Sequence, residues 1–133
     1  PVSFEVEAER IAAYADAVGE ESPVYRDAEA ARAAGFRDVV APPMFAVVYS
    51  SPALGPAILD PEVGINFPKM VHGGQKFTWG EPVCAGDVIT TKVECTDISE
   101  RGGMGFYVFE SVSTNQDGAE VVRGTWTNIV RGV

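Results

Sequence analysis

Glu20, Tyr25 and His72 are the side chains of this sequence best suited to moving protons. Glu20 and Tyr25 fall in the segment Gly19-Glu20-Glu21-Ser22-Pro23-Val24-Tyr25. His72 opens His72-Gly73-Gly74-Gln75-Lys76-Phe77 and is the one histidine of the chain. A carboxyl group and an imidazole can together remove a proton and protonate a leaving oxygen. Imidazole titrates near neutral pH and can serve as base or acid. A phenol has an ordinary pKa of about 10, so it can donate a proton but is a poor base at neutral pH. Each residue also has a plainer role. Glu20 and Glu21 can be solvated loop acids, Tyr25 can pack on a sheet, and His72 can be a structural residue bonded to backbone. Gly73 and Gly74 leave room for close backbone approach by a ligand. There is no Ser-His-Asp order, phosphate loop or nucleotide-binding fingerprint. A single histidine and the absence of Cys-x-x-Cys argue against an ordinary zinc site. No metal and no cofactor are expected.

The surrounding pattern says which elements must hold these groups. Residues 2–6 read as a short strand or lead-in. Ile11, Tyr14, Ala15 and Val18 repeat at helical spacing, which predicts an amphipathic helix over 7–18 that stops at Gly19. Asp27 can cap a second helix, 28–34, ahead of Gly35. Pro42 and Pro43 suit the first turn of a third helix. It should run through Met44-Phe45-Ala46-Val47-Val48-Tyr49 and end near Pro52, buried all round because it is apolar on every side. Residues 50–68, rich in Ser, Pro, Gly and Asp, read as a long loop. Beyond 69 the chain turns to Val, Ile, Thr and aromatics, giving strands over 71–79, 88–98, 105–114 and 120–130. The breaks at 99–103 and 115–118 look like hairpin turns. Aromatics on both faces of 105–112 suggest a strand buried on both sides. Helices first and a meander after them define an α+β chain: an antiparallel sheet wrapped around a central apolar helix at about 43–50.

Composition narrows the function classes. With 133 residues the chain suits a single domain spanning 1–133. A formal net charge of -9 argues against nucleic acid as a partner. It also removes long-range attraction for an anionic carrier, leaving Arg26, Arg32, Arg37, Lys69 and Lys76 as scattered candidates for a local patch. Their plainer reading is solvated surface charge. No apolar run approaches the roughly 20 residues that span a bilayer, so no membrane role is expected. Cys84 and Cys95, without a secretion signal, read as reduced core thiols of a cytoplasmic protein.

The order of motifs resembles the MaoC-like hydratase/dehydratase family of hot-dog proteins, in particular its amino-terminal dehydratase branch. The resemblance rests on the segment Gly19 to Tyr25, on Ala30-Ala31-Arg32-Ala33-Ala34-Gly35-Phe36 and on Ala41-Pro42-Pro43-Met44-Phe45. It continues through His72-Gly73-Gly74-Gln75-Lys76-Phe77 and Pro82-Val83-Cys84-Ala85-Gly86-Asp87. It implies a hot-dog fold and chemistry on an acyl thioester of coenzyme A or acyl carrier protein. Active members resemble Gly-Asp-x-Asn-Pro-Leu-His at this loop, so Glu20 stands for Asp and Tyr25 for His. The extra methylene of Glu20 shifts a carboxyl by about 1 Å, a misplacement worth about 100-fold in rate. The resemblance therefore points to a substrate-holding subunit without the usual dyad, paired with a catalytic MaoC-like subunit. The alternatives are an active homodimeric (R)-hydratase using Glu20 and His72, a hot-dog thioesterase, or an acyl-binding module. Tyr14, Pro43, Met44, Phe45, Gly73, Gly74, Gln75 and Phe77 are the candidate substrate-binding residues. Plain core is the competing role for the aromatic and Met positions.

Overall fold

The computed structural model describes residues 2–131. Strand β1, Val2–Glu5, leads through buried Val6 into helix α1, Ala8–Val18. Ile11 and Ala15 form the buried stripe of α1, as the spacing required. The helix ends at Gly19 in the left-handed conformation, and the Glu20 N–H reaches back to the Ala15 carbonyl at 2.8 Å. A 3-10 turn, Pro23–Tyr25, precedes helix α2, Ala28–Ala33. The Asp27 carboxylate caps α2 by accepting from the Glu29 N–H at 2.9 Å.

A second 3-10 turn, Pro43–Phe45, opens helix α3, Ala46–Ile58. This corrects two expectations: α3 does not end at Pro52, and residues 50–58 are helix rather than loop. Pro52 and Pro56 lie inside it. Each lacks the N–H that would donate one turn back, a cost of about 3 kcal/mol or more for an interior proline. Packing outweighs that cost. Ala46, Tyr49, Ser50, Ala53 and Leu54 make one buried face, and full burial of a large apolar side chain contributes about 1.5–3 kcal/mol. The two prolines face outward, and the Ser50 hydroxyl donates to the Ala46 carbonyl. So α3 is buried on one face, not all round.

Strands β2 (Met70–Trp79), β3 (Val88–Arg101), β4 (Met104–Thr114) and β5 (Glu120–Arg131) complete an antiparallel sheet in the order β1-β3-β4-β5-β2. The meander and both hairpins fall where the sequence put them. Helix α3 lies on the inner face of the sheet, against β3, β1 and β4, which is the hot-dog arrangement. One group of buried side chains joins Phe45 and Tyr49 to Ile11, Ile89 and Val122. A second joins Leu54 to Tyr107, Phe109, Trp126 and Val130. Strand β4 is buried on one face only: Tyr107, Phe109, Ser111 and Ser113 turn inward, while Phe106, Val108 and Val112 stay half-buried. Two-sided burial was expected from its aromatics, but the described residues place a layer on one face alone.

Candidate active site

The segment 39–41 is the keystone of the site. Val40 N–H donates to the Val24 carbonyl at 3.0 Å, and Ala41 N–H donates to the Val83 carbonyl at 2.8 Å. Ala85 N–H returns to the Val39 carbonyl at 2.8 Å. These bonds draw the turn at Pro23–Tyr25, the start of α3 and the loop after β2 around one cavity of about 290 Å³. That is near the low end of the ~300–1,000 Å³ common for ligand pockets. Val24, Phe36, Val40, Pro42, Pro43 and Val83 supply much of the wall, with Tyr49 from α3, Trp79 from β2 and Val121 from β5. Polar side chains enter only through Tyr25, Tyr49 and Glu81. Burial pushes the Tyr49 phenol well above its ordinary range, so it stays neutral. The cavity can hold an alkyl chain and offers it no cation.

The proton-transfer candidates are not gathered there. Tyr25 lines the cavity, half-buried against the core. Glu20 precedes the 3-10 turn on the exposed side of the loop and does not line the cavity. Its backbone carbonyl is engaged by the Arg26 guanidinium, which also pairs with the Asp16 carboxylate and so ties the loop to α1. His72 is exposed on β2, with its ring 6.2 Å from that of Trp126. Seven residues of extended strand separate it from Trp79 at the cavity wall, a span of roughly 23 Å.

The candidate substrate-binding residues scatter too. Pro43 lines the cavity and Met44 is half-exposed outside it. Phe45 is 1% exposed and packs edge-on with Tyr14 at 5.4 Å between ring centres, so both belong to the core. Phe77 sits between Trp79 and Trp126, at 5.2 and 5.6 Å. Gly73 is a bulge opposite the β5 pair Thr127 and Asn128. A Cβ there would fall 2.6 Å from the Ile129 Cδ1 atom, so its missing side chain makes room for Ile129 and not for a ligand. At Gly74 a Cβ would meet nothing within 4 Å.

Sequence reasoning missed the cavity's second wall and one charged cluster beside it. Asp87 is fully buried. Arg37 grips it with two hydrogen bonds of 2.9 and 2.8 Å, and the Cys84 N–H and Gln116 side-chain amide donate at 3.0 Å each. Burial alone would raise the Asp87 carboxyl. The Arg37, Cys84 and Gln116 donors outweigh it and hold the group below the usual carboxylate range. Arg37 is thus tied to a buried partner, though its own side chain stays more than half exposed. The signal was the Gly86-Asp87 pair, but its partner lies 50 residues away. Among the described residues no cluster of His, Cys, Asp and Glu is placed to hold a metal, and no helix is long and apolar enough to cross a membrane. Cys84 and Cys95 are both free thiols.

Comparison with known proteins supports the resemblance on independent grounds. A family model described as FAS1-like, dehydratase domain region, matches residues 1–123. A UPF0336 protein of Thermobifida fusca is 39% identical over 132 residues, which cover 99% of this chain and 87% of that one. A UPF0336 protein of Clavibacter michiganensis is 41% identical, covering 93% and 83%. Among solved structures, the C-terminally truncated HadBC (3R-hydroxyacyl-ACP dehydratase) complex of Mycobacterium tuberculosis matches with a TM-score of 0.85 at 27% identity, over 97% of this chain and 90% of that one. The (R)-hydratase PhaJ1 of Pseudomonas aeruginosa matches in fold, with a TM-score of 0.73 at 18% identity, covering 99% and 79%. The chain belongs to the FAS1-like dehydratase region family, a MaoC-like branch of the hot-dog dehydratases.

Proposed function

We propose that this chain is a substrate-holding subunit of a hot-dog dehydratase acting on 3-hydroxyacyl thioesters of coenzyme A or acyl carrier protein. The apolar cavity takes the acyl chain, and a catalytic MaoC-like partner brings the Asp and His. The observation that carries this reading is the make-up of the cavity. Its wall is almost wholly apolar, and Tyr25, which by the family resemblance stands for His, contributes a phenol to it. The one histidine lies at the far end of a ten-residue strand. Dehydration needs one group to take the α proton and another to protonate the departing hydroxyl; this cavity has the phenols of Tyr25 and Tyr49 and, at an exposed position, the Glu81 carboxyl, but no imidazole. The HadBC dehydratase complex, a structural relative made of two kinds of subunit, supports a paired assembly.

The test is hydration of crotonyl-CoA by the pure chain, and again after adding a catalytic MaoC-like subunit. The chain alone should be silent, and the mixture should exceed the catalytic subunit alone. Turnover by the chain alone that disappears in Glu20→Ala or His72→Ala would overturn the proposal. Release of free thiol would point instead to thioester hydrolysis. Val24→Trp, which narrows the cavity, should raise the KM of the mixture roughly tenfold while leaving the fold intact.

A further inference from the structure

The cavity has an open end and a closed one. Glu81 is exposed, Trp79 is 49% exposed and Tyr25 is half-buried, so these three mark the mouth. Tyr49 and Val121 line the same space at 3% and 2% exposure and mark its floor. An acyl chain entering past Tyr25 therefore ends against Tyr49.

The floor is not inert. No described residue exchanges a hydrogen bond with the Tyr49 hydroxyl. Burial is the sole cause of its raised pKa, with no bonded or charged neighbour contributing. Among the described residues, the one side-chain polar atom both unpaired and fully enclosed is the Gln75 amide nitrogen, which lies outside the cavity wall. The unpaired Tyr49 oxygen must therefore reach open space, and the space it lines is the cavity. The rest of the wall has little to offer a ligand oxygen. Val40, Ala41, Gly80 and Glu81 spend their backbone N–H groups on carbonyls of the chain, and Pro42, Pro43 and Pro82 have none. Tyr25, nearer the mouth, can turn to water. A plain alkyl chain would leave the Tyr49 donor facing methylenes, whereas buried polar groups are nearly always paired.

We infer that the acyl group held here carries an oxygen of its own, a ketone, hydroxyl or ether remote from the thioester, and that the Tyr49 hydroxyl donates a hydrogen bond to it. The inference rests on the substrate-holding reading and names the class of acyl group that reading left open. Tyr49 is then the residue that sets specificity. A pocket built to hydrogen-bond a substrate oxygen rejects the analogue without it far more strongly than an apolar pocket rejects an extra methylene.

Titration calorimetry tests this with octanoyl-CoA and its mono-oxo derivatives, the ketone placed at each carbon beyond the third. None of these carries the hydroxyl that dehydration removes, so binding is read without turnover. Each is titrated into the parent and into Tyr49→Phe, alone and mixed with a catalytic MaoC-like subunit. At least one oxo derivative should bind the parent about tenfold more tightly than octanoyl-CoA. Tyr49→Phe should lose that preference and bind octanoyl-CoA no more weakly than the parent does. Equal binding of all the thioesters by the parent would leave the phenol to water and overturn the inference, as would a preference that survives in Tyr49→Phe. Equal weakening of every thioester in Tyr49→Phe would assign the phenol to the thioester end, and also overturns it. Urea unfolding of Tyr49→Phe should match the parent; a clear loss of stability would mean that the hydroxyl is bonded within the chain, against the inference. Failure of the parent to bind any of the thioesters, alone or in the mixture, would instead sink the substrate-holding reading itself.

Discussion

Two glycine–acid pairs in this chain have opposite fates. Gly19-Glu20 and Gly86-Asp87 both place a glycine at positive φ, 79° and 91°, directly before a carboxylate. Asp87 then turns inward and meets four donated hydrogen bonds. Glu20 turns outward, and only its backbone carbonyl is held. A buried carboxylate is tolerated where donors replace the water it loses. The pair at 86–87 has collected those donors to pin the start of β3 to the segment before α3. The pair at 19–20, in the loop where active relatives keep their acid, has no such surroundings. One carboxylate is architecture, and the other is free of structural duty.

The contrast can be broken from its strong side first. Asp87→Ala orphans the buried Cys84 N–H and releases Arg37, which is more than half exposed, and should cost about 1–3 kcal/mol in urea unfolding. A loss below 1 kcal/mol would mean that the cluster is ornamental. Next comes pH. Because the folded state holds the Asp87 carboxyl below its ordinary value, the folded chain binds this proton less readily than the unfolded one. Its contribution is full above the ordinary carboxylate pKa of about 4. It is lost as pH falls through the depressed folded value. The parent should therefore lose stability across that acid range more steeply than Asp87→Asn. Parallel pH profiles for the two would contradict the assignment. Arg26→Ala, which frees the loop from α1, should cost under about 1 kcal/mol because the pair is partly exposed. Glu20→Ala should stay within about 0.5 kcal/mol. A larger loss there would erase the difference between the two pairs.

What the sequence disclosed was local. Helical spacing in 7–18, the Asp27 cap, the glycine stops and the β-branched meander each depend on neighbours a few residues apart, and each is where it was expected. The continuation of α3 past Pro52 was not legible, because the force that holds it comes from a sheet formed more than ten residues later. Nor was the cavity. Tyr25 and Pro43 were visible as candidates, but Trp79, Val83 and Val121 reach the same wall only through long-range pairing. Phe45 and Tyr14 drew attention as substrate-binding candidates by type, and their edge-on packing in the core shows how weak a guide type is without burial. His72 and Glu20 were joined in one candidate list by chemistry; the fold sets them on different elements.

The bulge at Gly73 acts on β2 as a single inserted base acts on a reading frame. Side chains of a strand alternate between faces, so His72 and Gln75, three positions apart, would ordinarily be opposed. Their register partners Asn128 and Trp126 are two apart, and both face inward. Bulging Gly73 out of the ladder has therefore kept the phase, and the face of everything before it depends on that irregularity. Deleting Gly73 would leave His72 two positions from Gln75, as regular alternation requires, with Met70 and His72 still inward; straightening the bulge with Gly73 kept would instead rotate Met70 and His72 outward and bring Val71 in, while Gln75 to Trp79 kept their sense. Whether one residue sits in the ladder or bulges out of it, invisible to composition or hydropathy, thus decides whether the chain's lone imidazole looks toward the core side of the sheet or away from it.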